Sequence, residues 1–338
     1  MQNKVIRKEY PFFILIITFL ICLGPVFADE EITSGNDFKD AEFYFTLGHS
    51  YQLLRNYREA IEAYKQTILI KPDYAEAYTN RGISYVQIHD YEEALKDFDK
   101  AIELNGKDAV SYFRRGSLYF ELKRYDKAAQ DFYKTVGLEP DFSDAYYYFG
   151  LVHYKFGRYE RTIKEVNKAV SINAQKDEYY HLRGKAYQLL NNYKEALKDY
   201  TKAIALDPVN ANAYADRGIL YQLLENYQEA LKDYTKTIEI APANAGVYSS
   251  RGIVYARLGN SQEAVNDSNK ALALAPDDDM LYYNAACMYS IQKIPEKACY
   301  HLLKSIEKGY KDWDWIKKDK DFDNIRDTDC YKTIIKDR

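Results

Sequence analysis

The sequence predicts an all-α fold in which eight antiparallel helix pairs stack into a solenoid. The first observation is a strict period: residues 41–312 of the 338-residue chain repeat a 34-residue pattern eight times without insertion or deletion. The second is the helical spacing of the recurring residues, and the third is a set of prolines where each unit should end. A fixed period of this length is typical of arrays in which each unit packs only on its neighbours.

The units begin with alanine, serine or aspartate, and each contains two helical stripes. They span 41–74, 75–108, 109–142, 143–176, 177–210, 211–244, 245–278 and 279–312. Position 4 of a unit is tyrosine in all eight, and position 11 is tyrosine in seven. Positions 4, 8 and 11 have the spacing of one helix face, and positions 20, 24 and 27 repeat it. Each unit is therefore predicted to hold two helices, A and B.

Small residues and prolines recur at fixed places in the units. Glycine occupies position 8 of the first seven units: Gly48, Gly82, Gly116, Gly150, Gly184, Gly218 and Gly252. We expect this position to face alanine at position 20, where a larger side chain would overpack the helices at a cost of about 1–3 kcal/mol. Proline at position 32 ends helix B in five units: Pro72, Pro140, Pro208, Pro242 and Pro276.

This combination of tyrosines, small residues and prolines resembles the tetratricopeptide repeat. The resemblance covers residues 41–312. It implies a right-handed superhelix of antiparallel helix pairs, in which the A helices line a concave groove that binds peptides or partner proteins. The expected protein is a non-enzymatic scaffold or adaptor. The alternative is a structural solenoid that self-assembles through its ends or edges.

Two charged positions vary together along the array. Arginine at position 7 and aspartate at position 23 occur in the same five units: Arg81/Asp97, Arg115/Asp131, Arg183/Asp199, Arg217/Asp233 and Arg251/Asp267. Units 1 and 8 have neither charge, and unit 4 has Phe149 with Glu165. We predict an ion pair that joins helix A to helix B within one unit. The alternative is that both side chains are solvated surface charges.

The resemblance implies that helix-A positions 2, 5, 6, 9, 12 and 13 line the groove. The candidate partner-binding residues are Phe45, His49, Asn80, Phe113, Arg114, Phe120, Tyr147, Tyr148, Tyr154 and His181. Aromatic side chains at groove positions are the usual anchors of a bound peptide. The alternative is that they pack between adjacent A helices. Only Asn80 and Arg114 match the carboxylate clamp of some family members, so the sequence does not predict that binding mode.

Unit 4 departs most from the repeat, and we place the candidate site there. It has Phe149, His153, Thr162, Val166 and Ala174 at five recurring positions. These departures coincide with the aromatic residues of the predicted groove.

No motif for catalysis occurs in the chain. There is no phosphate loop, nucleophile elbow or zinc-protease helix, and the five histidines lie in separate units. Cys287, Cys299 and His301 share unit 8, but their spacing matches no usual zinc pattern. The sequence therefore predicts neither an enzyme nor a cofactor or metal. A Cys287–Cys299 disulfide is one option in an oxidising compartment.

Residues 1–28 have the pattern of an export signal. Lys4, Arg7 and Lys8 precede an apolar run over 12–23, and Val26-Phe27-Ala28 supplies a cleavage site. We expect cleavage after Ala28, with an uncleaved anchor as the alternative. The mature protein should then lack a membrane span and be periplasmic or secreted, from a bacterial source.

The charge balance argues against a nucleic-acid partner. The whole chain has a net charge of −4, and removal of residues 1–28 takes away three basic residues and one acidic residue, which leaves −6. Nucleic-acid binding requires a basic face.

Residues 29–40 form a polar lead-in to the array.

The last 26 residues leave the 34-residue register. In residues 313–338, Phe322, Ile325, Tyr331 and Ile334 lie near helical spacing among charges. The stretch resembles tails that close repeat arrays in other bacterial members of the family, and an end unit needs such a cap. We predict a C-terminal capping helix here. The alternative is a docking peptide.

Overall fold

The all-α prediction is confirmed by the computed structural model, which describes residues 40–336. This part of the chain contains 18 α-helices and no strand. The predicted export signal and residues 29–39 of the lead-in lie outside it. The A helices of the eight pairs are α1 (Ala41–Leu53), α3 (Ala75–Gln87), α5 (Ala109–Glu121), α7 (Ser143–Lys155), α9 (Asp177–Leu189), α11 (Ala211–Leu223), α13 (Ala245–Arg257) and α15 (Asp279–Ile291). The B helices are α2 (Tyr57–Ile70), α4 (Tyr91–Leu104), α6 (Tyr125–Leu138), α8 (Tyr159–Ile172), α10 (Tyr193–Leu206), α12 (Tyr227–Ile240), α14 (Ser261–Leu274) and α16 (Pro295–Lys308).

None of the described helices is both long and apolar enough to cross a membrane.

A residue in the left-handed conformation follows two residues after the end of each A helix, always at position 15. Six of these eight residues are not glycine, for example Arg55 with φ of 61° and Asn191 with φ of 58°. A left-handed residue after a helix satisfies its last carbonyl groups and redirects the chain. For a residue with a Cβ atom this conformation costs about 1–2 kcal/mol. In six units, the sharp turn into helix B therefore costs conformational free energy at position 15.

In five units the position-8 glycine faces the ring at position 24, and in units 4, 5 and 7 the backbone carbonyl of position 20 also lies against it, as expected. A Cβ atom on Gly184 would lie 2.8 Å from Cε1 of Tyr200, and one on Gly82 would lie 2.7 Å from Cε1 of Phe98. Tyr200 is fully buried and donates a hydrogen bond of 2.7 Å to Gln188. Because the ring of helix B lies this close to helix A, only a residue without a side chain fits beneath it.

The C-terminal tail folds onto unit 8. It consists of α17 (Trp313–Lys318), a 3-10 turn (Lys320–Phe322) and α18 (Asp329–Ile335). Phe322 is fully buried and lies edge-on to Tyr283 of α15 at 5.5 Å. Five buried tail residues join the core of units 7 and 8: Ile316, Phe322, Ile325, Tyr331 and Ile334. The tail thus covers the apolar face at the end of the array.

A disulfide joins the tail to unit 8, and it is not the one considered from the sequence. Cys299 of α16 is bonded to Cys330 of α18, with their Cα atoms 6.1 Å apart. Cys287 is a buried free thiol, and its Sγ atom lies 3.7 Å from Oδ2 of Asp319. The sequence option of a Cys287–Cys299 bond is therefore wrong. The sulfur of Cys287 faces the segment before the 3-10 turn, whereas Cys299 faces α18.

Substituting Cys330 by serine is expected to lower the free energy of unfolding by about 2–4 kcal/mol, because the disulfide closes a loop of 31 residues. Urea unfolding of residues 29–338, with and without reductant, measures the effect. Reductant should change the wild type and leave the variant unchanged. Thiol titration of the denatured, unreduced wild type should find a single reactive group, at Cys287. Three reactive groups would show that the bond is not formed.

Candidate partner-binding groove

The Arg/Asp pairs join helix A to helix B within each of the five units. Arg183 donates from Nε and Nη2 to the two carboxylate oxygens of Asp199, both at 2.7 Å. The same two-bond geometry recurs at Arg81–Asp97, Arg115–Asp131, Arg217–Asp233 and Arg251–Asp267. The aspartates are buried and the arginines half-buried. These side chains are therefore not solvated surface charges.

Each guanidinium also reaches beyond its own pair. Arg217 lies against the rings of Tyr214 and Tyr221, at 5.7 and 5.8 Å from the ring centroids. Its Nη1 atom donates to Thr201 of the preceding unit at 3.0 Å. In three other units, the residue at position 25 of the preceding unit also accepts a hydrogen bond from the arginine. These pairs are Asp99 with Arg115, Asn167 with Arg183, and Thr235 with Arg251. Four of the five arginines thus connect three helices and hold adjacent units in register.

Burial disfavours the charged forms of the paired aspartates. It raises the pKa of Asp97 and of Asp131, even though each carboxylate accepts hydrogen bonds from an arginine that favours its charged form. A buried pair of this kind gives little net stability compared with apolar packing, but the loss of one partner is costly.

Phe113 is a core residue, so its assignment as a groove anchor was wrong. Only 7% of its surface is exposed. It packs against Phe142, which precedes α7, at a ring distance of 4.7 Å, and against Phe132 of α6 at 5.9 Å. The connection into unit 4 folds over Phe113, and the 34-residue pattern does not reveal this contact.

Tyr148 and Phe120 extend the same aromatic cluster. Tyr148 packs edge-on against Phe113 at 5.6 Å and against Phe120 at 6.1 Å. Phe120 also contacts Tyr125 at 5.3 Å. Both residues are half-buried. Packing between adjacent A helices, the alternative that the sequence left open, thus accounts for Phe113, Phe120 and Tyr148.

Of these four candidates in units 1–3, two are half-buried and make contacts, and two are exposed. Phe45 is half-buried and stacks on Tyr74 at 4.9 Å. Asn80 is half-buried, and its backbone carbonyl accepts a hydrogen bond of 3.0 Å from the side chain of Gln52 of α1. His49 and Arg114 are exposed. The structure does not bring these four residues together into one site.

Of the remaining candidates, Tyr154 and His181 meet across α7, α9 and α11, and Tyr147 lies two turns before Tyr154 on α7. We call Tyr147, Tyr154, His181, Lys185 and Asp216 the central groove cluster. His181 Nε2 lies 2.7 Å from Oδ2 of Asp216, and Lys185 Nζ lies 3.6 Å from the same oxygen. Lys185 Nζ also lies 5.9 Å from the ring centroid of Tyr154. Three successive A helices therefore contribute side chains to one half-buried cluster.

The cluster combines a fixed charge arrangement with free hydroxyl groups. Burial would raise the pKa of Asp216, but the hydrogen bond from His181 and the charge of Lys185 outweigh it and lower that pKa. Tyr147 stacks on Tyr179 at 5.1 Å, and burial raises the pKa of its phenol. Among the described residues, none forms a hydrogen bond with the hydroxyl of Tyr147 or of Tyr154. These hydroxyls can donate to or accept from a bound peptide.

The sequence analysis missed Lys185 and Asp216. They occupy helix-A positions 9 and 6, which the family resemblance already assigned to the groove. The aromatic pattern that suggested the groove candidates does not include these charged residues. A search for opposite charges at groove positions of successive units would have found the pair.

The cysteine and histidine of unit 8 do not form a metal-binding set with each other. Cys299 is held in the disulfide, and His301 stacks on Tyr289 at 5.1 Å. Cys287 lies instead beside Asp319 and Asp321, with one ligand atom of each within 4.8 Å of the others. Asp319 accepts from Tyr283, and Asp321 pairs with Arg257, so protein partners already satisfy both carboxylates.

Several family models match the chain, and all of them describe tetratricopeptide repeats. One matches residues 75–108, 178–210 and 211–244. The others match residues 56–89, 98–130 and 245–278. Together they cover residues 56–130 and 178–278. No curated protein sequence matches the chain.

Solved structures show the same architecture. YrrB, described as a TPR protein with an unusual peptide-binding site, is 26% identical with a TM-score of 0.50, over 56% of this chain and 98% of that one. A tetratricopeptide repeat protein from Parabacteroides merdae is 21% identical with a TM-score of 0.54, over 75% of this chain and 98% of that one. PilF of Pseudomonas aeruginosa is 19% identical with a TM-score of 0.55, over 60% of this chain and 92% of that one. The last two show the fold alone.

Proposed function

Because the chain belongs to the tetratricopeptide repeat family, we propose that it is a non-enzymatic scaffold that binds a segment of a partner protein in its groove. The observation that carries this proposal is the central groove cluster, in which half-buried polar groups of three A helices converge. Small numbers of placed polar groups in a concave, partly apolar surface are typical of binding sites. The similarity to YrrB, described as having a peptide-binding site, supports the same function.

The cluster suggests the chemistry of the bound segment. The rings of Tyr147 and Tyr154 offer apolar surface, and their hydroxyls offer hydrogen bonds at the edges. Lys185 is held between Asp216 and the ring of Tyr154, at 3.6 and 5.9 Å. A segment with an aromatic or aliphatic side chain, and with backbone carbonyls directed at these donors, would fit this surface.

We place this scaffold in the bacterial cell envelope, as a periplasmic or secreted protein. The export signal predicted over residues 1–28 supports this location. The Cys299–Cys330 disulfide supports it independently, because such bonds persist in oxidising compartments. N-terminal sequencing of the mature protein should begin at Asp29. A start at Met1 would argue for the uncleaved anchor.

Substituting Lys185 by glutamate and Tyr154 by alanine together should reduce partner recovery at least tenfold, which corresponds to a loss of about 1.4 kcal/mol or more. The reason is the loss of one cation and one ring from the groove. Proteins co-purified with each variant from the native envelope fraction, quantified by mass spectrometry, provide the measurement.

The control for this experiment is Lys270→Glu, at an exposed site on α14, which should recover partners like the wild type. Circular dichroism must show that the groove variant is folded. Equal recovery by both variants would contradict binding at the central groove cluster. Light scattering over a hundredfold concentration range separates the scaffold from the self-assembling solenoid: a monomer throughout argues against self-assembly.

A further inference from the structure

The exposed face of α8 carries three cations, and its two lysines lack the acidic partners found on α4 and α12. They are Arg161, Lys164 and Lys168, at positions 19, 22 and 26 of unit 4. Unit 4 alone has basic residues at all three positions. The spacing of three and four residues places them on one helix face.

In units 2 and 6, the lysines at these positions are neutralised within their own helix. At position 22, Lys96 and Lys232 each lie 2.5 Å from the glutamate at position 19. At position 26, Lys100 lies 2.8 Å from Glu103 at position 29, and the corresponding lysine of unit 6 makes the same bond at 3.0 Å.

Unit 4 keeps the lysines and replaces both acids. Position 19 is Arg161 instead of glutamate, and position 29 is Ser171, whose hydroxyl donates 2.7 Å to the backbone carbonyl of Lys168. Among the described residues, no carboxylate lies within ion-pair distance of Arg161, Lys164 or Lys168. Half-buried Glu165 of the same helix interacts with the three charges only beyond ion-pair distance. The exposed cations are therefore available to an outside anion.

A shallow, open depression runs along this face of α8, beside Arg161. It is lined by Lys164, Lys168, Ile163, Asn167 and Ser171, with Glu160 towards the start of the helix. The cations extend over about 10 Å of helix axis, at 1.5 Å per residue. Three or four residues of an extended peptide have the same length.

We infer that this face of α8 is a second interaction surface, which docks an acidic segment of a partner protein. The small number of cations on α8 favours a protein segment over a membrane. On the neighbouring B helix α10, Lys198 at position 22 is already paired with Glu195 at 3.5 Å. A membrane surface requires a broader basic patch, and the chain as a whole has a net charge of −4.

The test measures binding of a fluorescein-labelled peptide of ten glutamates to residues 29–338, with a ten-glutamine peptide as the neutral probe. The wild type should bind the glutamate peptide only, and added salt should weaken binding because it screens the charges. Arg161→Glu with Ser171→Glu restores the internal partners found in unit 2. It should weaken binding at least tenfold without lowering the urea midpoint of unfolding.

The matched control is Lys270→Glu with Ala273→Glu, which changes the net charge by the same amount on the exposed face of α14. It should bind the glutamate peptide like the wild type. If the first variant fails to fold, Lys164→Gln with Lys168→Gln replaces it, with the same expected loss.

Three results would overturn the inference. One is that the wild type does not bind the glutamate peptide. Another is an equal loss in the α8 variant and the α14 control, which would indicate a general charge effect. The last is binding to phosphatidylglycerol vesicles without binding to the peptide, which would make a membrane the partner. None of these results depends on the central groove cluster, so failure here leaves the proposed function standing.

Discussion

Substituting Asp199 by alanine is expected to lower the free energy of unfolding by about 3–5 kcal/mol, because Arg183 is left half-buried without its carboxylate. Arg183→Ala should cost a similar amount, since it leaves the buried Asp199 unpaired and also removes the 2.7 Å hydrogen bond to Asn167. Urea unfolding of the two single variants and of the double variant provides the measurement.

The double variant decides whether the two residues act as a pair. It should lose clearly less than the sum of the two single losses, because the second substitution removes a charge that is already unpaired. As a control, Lys194→Ala changes an exposed charge on the same helix and should cost less than about 0.5 kcal/mol. Additive losses at Arg183 and Asp199 would show that the pair is not energetically coupled.

Phe322→Ala is expected to destabilise the protein by about 3–5 kcal/mol, through lost burial and the cavity that remains. The Phe322 ring is fully buried between the tail and Tyr283 of the last A helix. Trp315→Ala is the control, because Trp315 lies in the same tail but is 53% exposed. Thermal unfolding followed by circular dichroism measures both variants. A small effect at Phe322, equal to that at Trp315, would show that the tail does not stabilise unit 8.

The fold could be predicted because the same physical solution occurs eight times. Tyrosines at positions 4 and 11 and small residues at position 8 report the faces of two packed helices, and repetition removes the ambiguity of a single helix. The joint occurrence of arginine at position 7 and aspartate at position 23 in five units likewise identified a contact. Such information is unusual in one sequence, and here the repeats supply it.

Contacts specific to one unit could not be predicted in this way. Phe113 looked like a groove residue from its position, yet the connection carrying Phe142 covers it. The Cys299–Cys330 bond depends on where α18 returns against α16, and no repeat describes that tail. Position 15 adopts the left-handed conformation in every unit, but six of its eight residues are not glycine, so composition gave no signal.

The central groove cluster was half predicted. Tyr147, Tyr154 and His181 were candidates from the groove positions, whereas Lys185 and Asp216 were found only when the A helices were placed side by side. Their contact joins α9 to α11, and its geometry depends on the angle between successive units. A strict sequence period does not specify that angle.

Site-specific photo-crosslinking in the native cell tests groove binding most directly. A photoreactive amino acid is placed at position 147 or 154 in the groove, or at position 270 on the exposed face of α14. Binding of a partner segment predicts one discrete crosslinked protein from positions 147 and 154, and none from position 270. Identical products from all three positions, or crosslinks only to further copies of this chain, would contradict it.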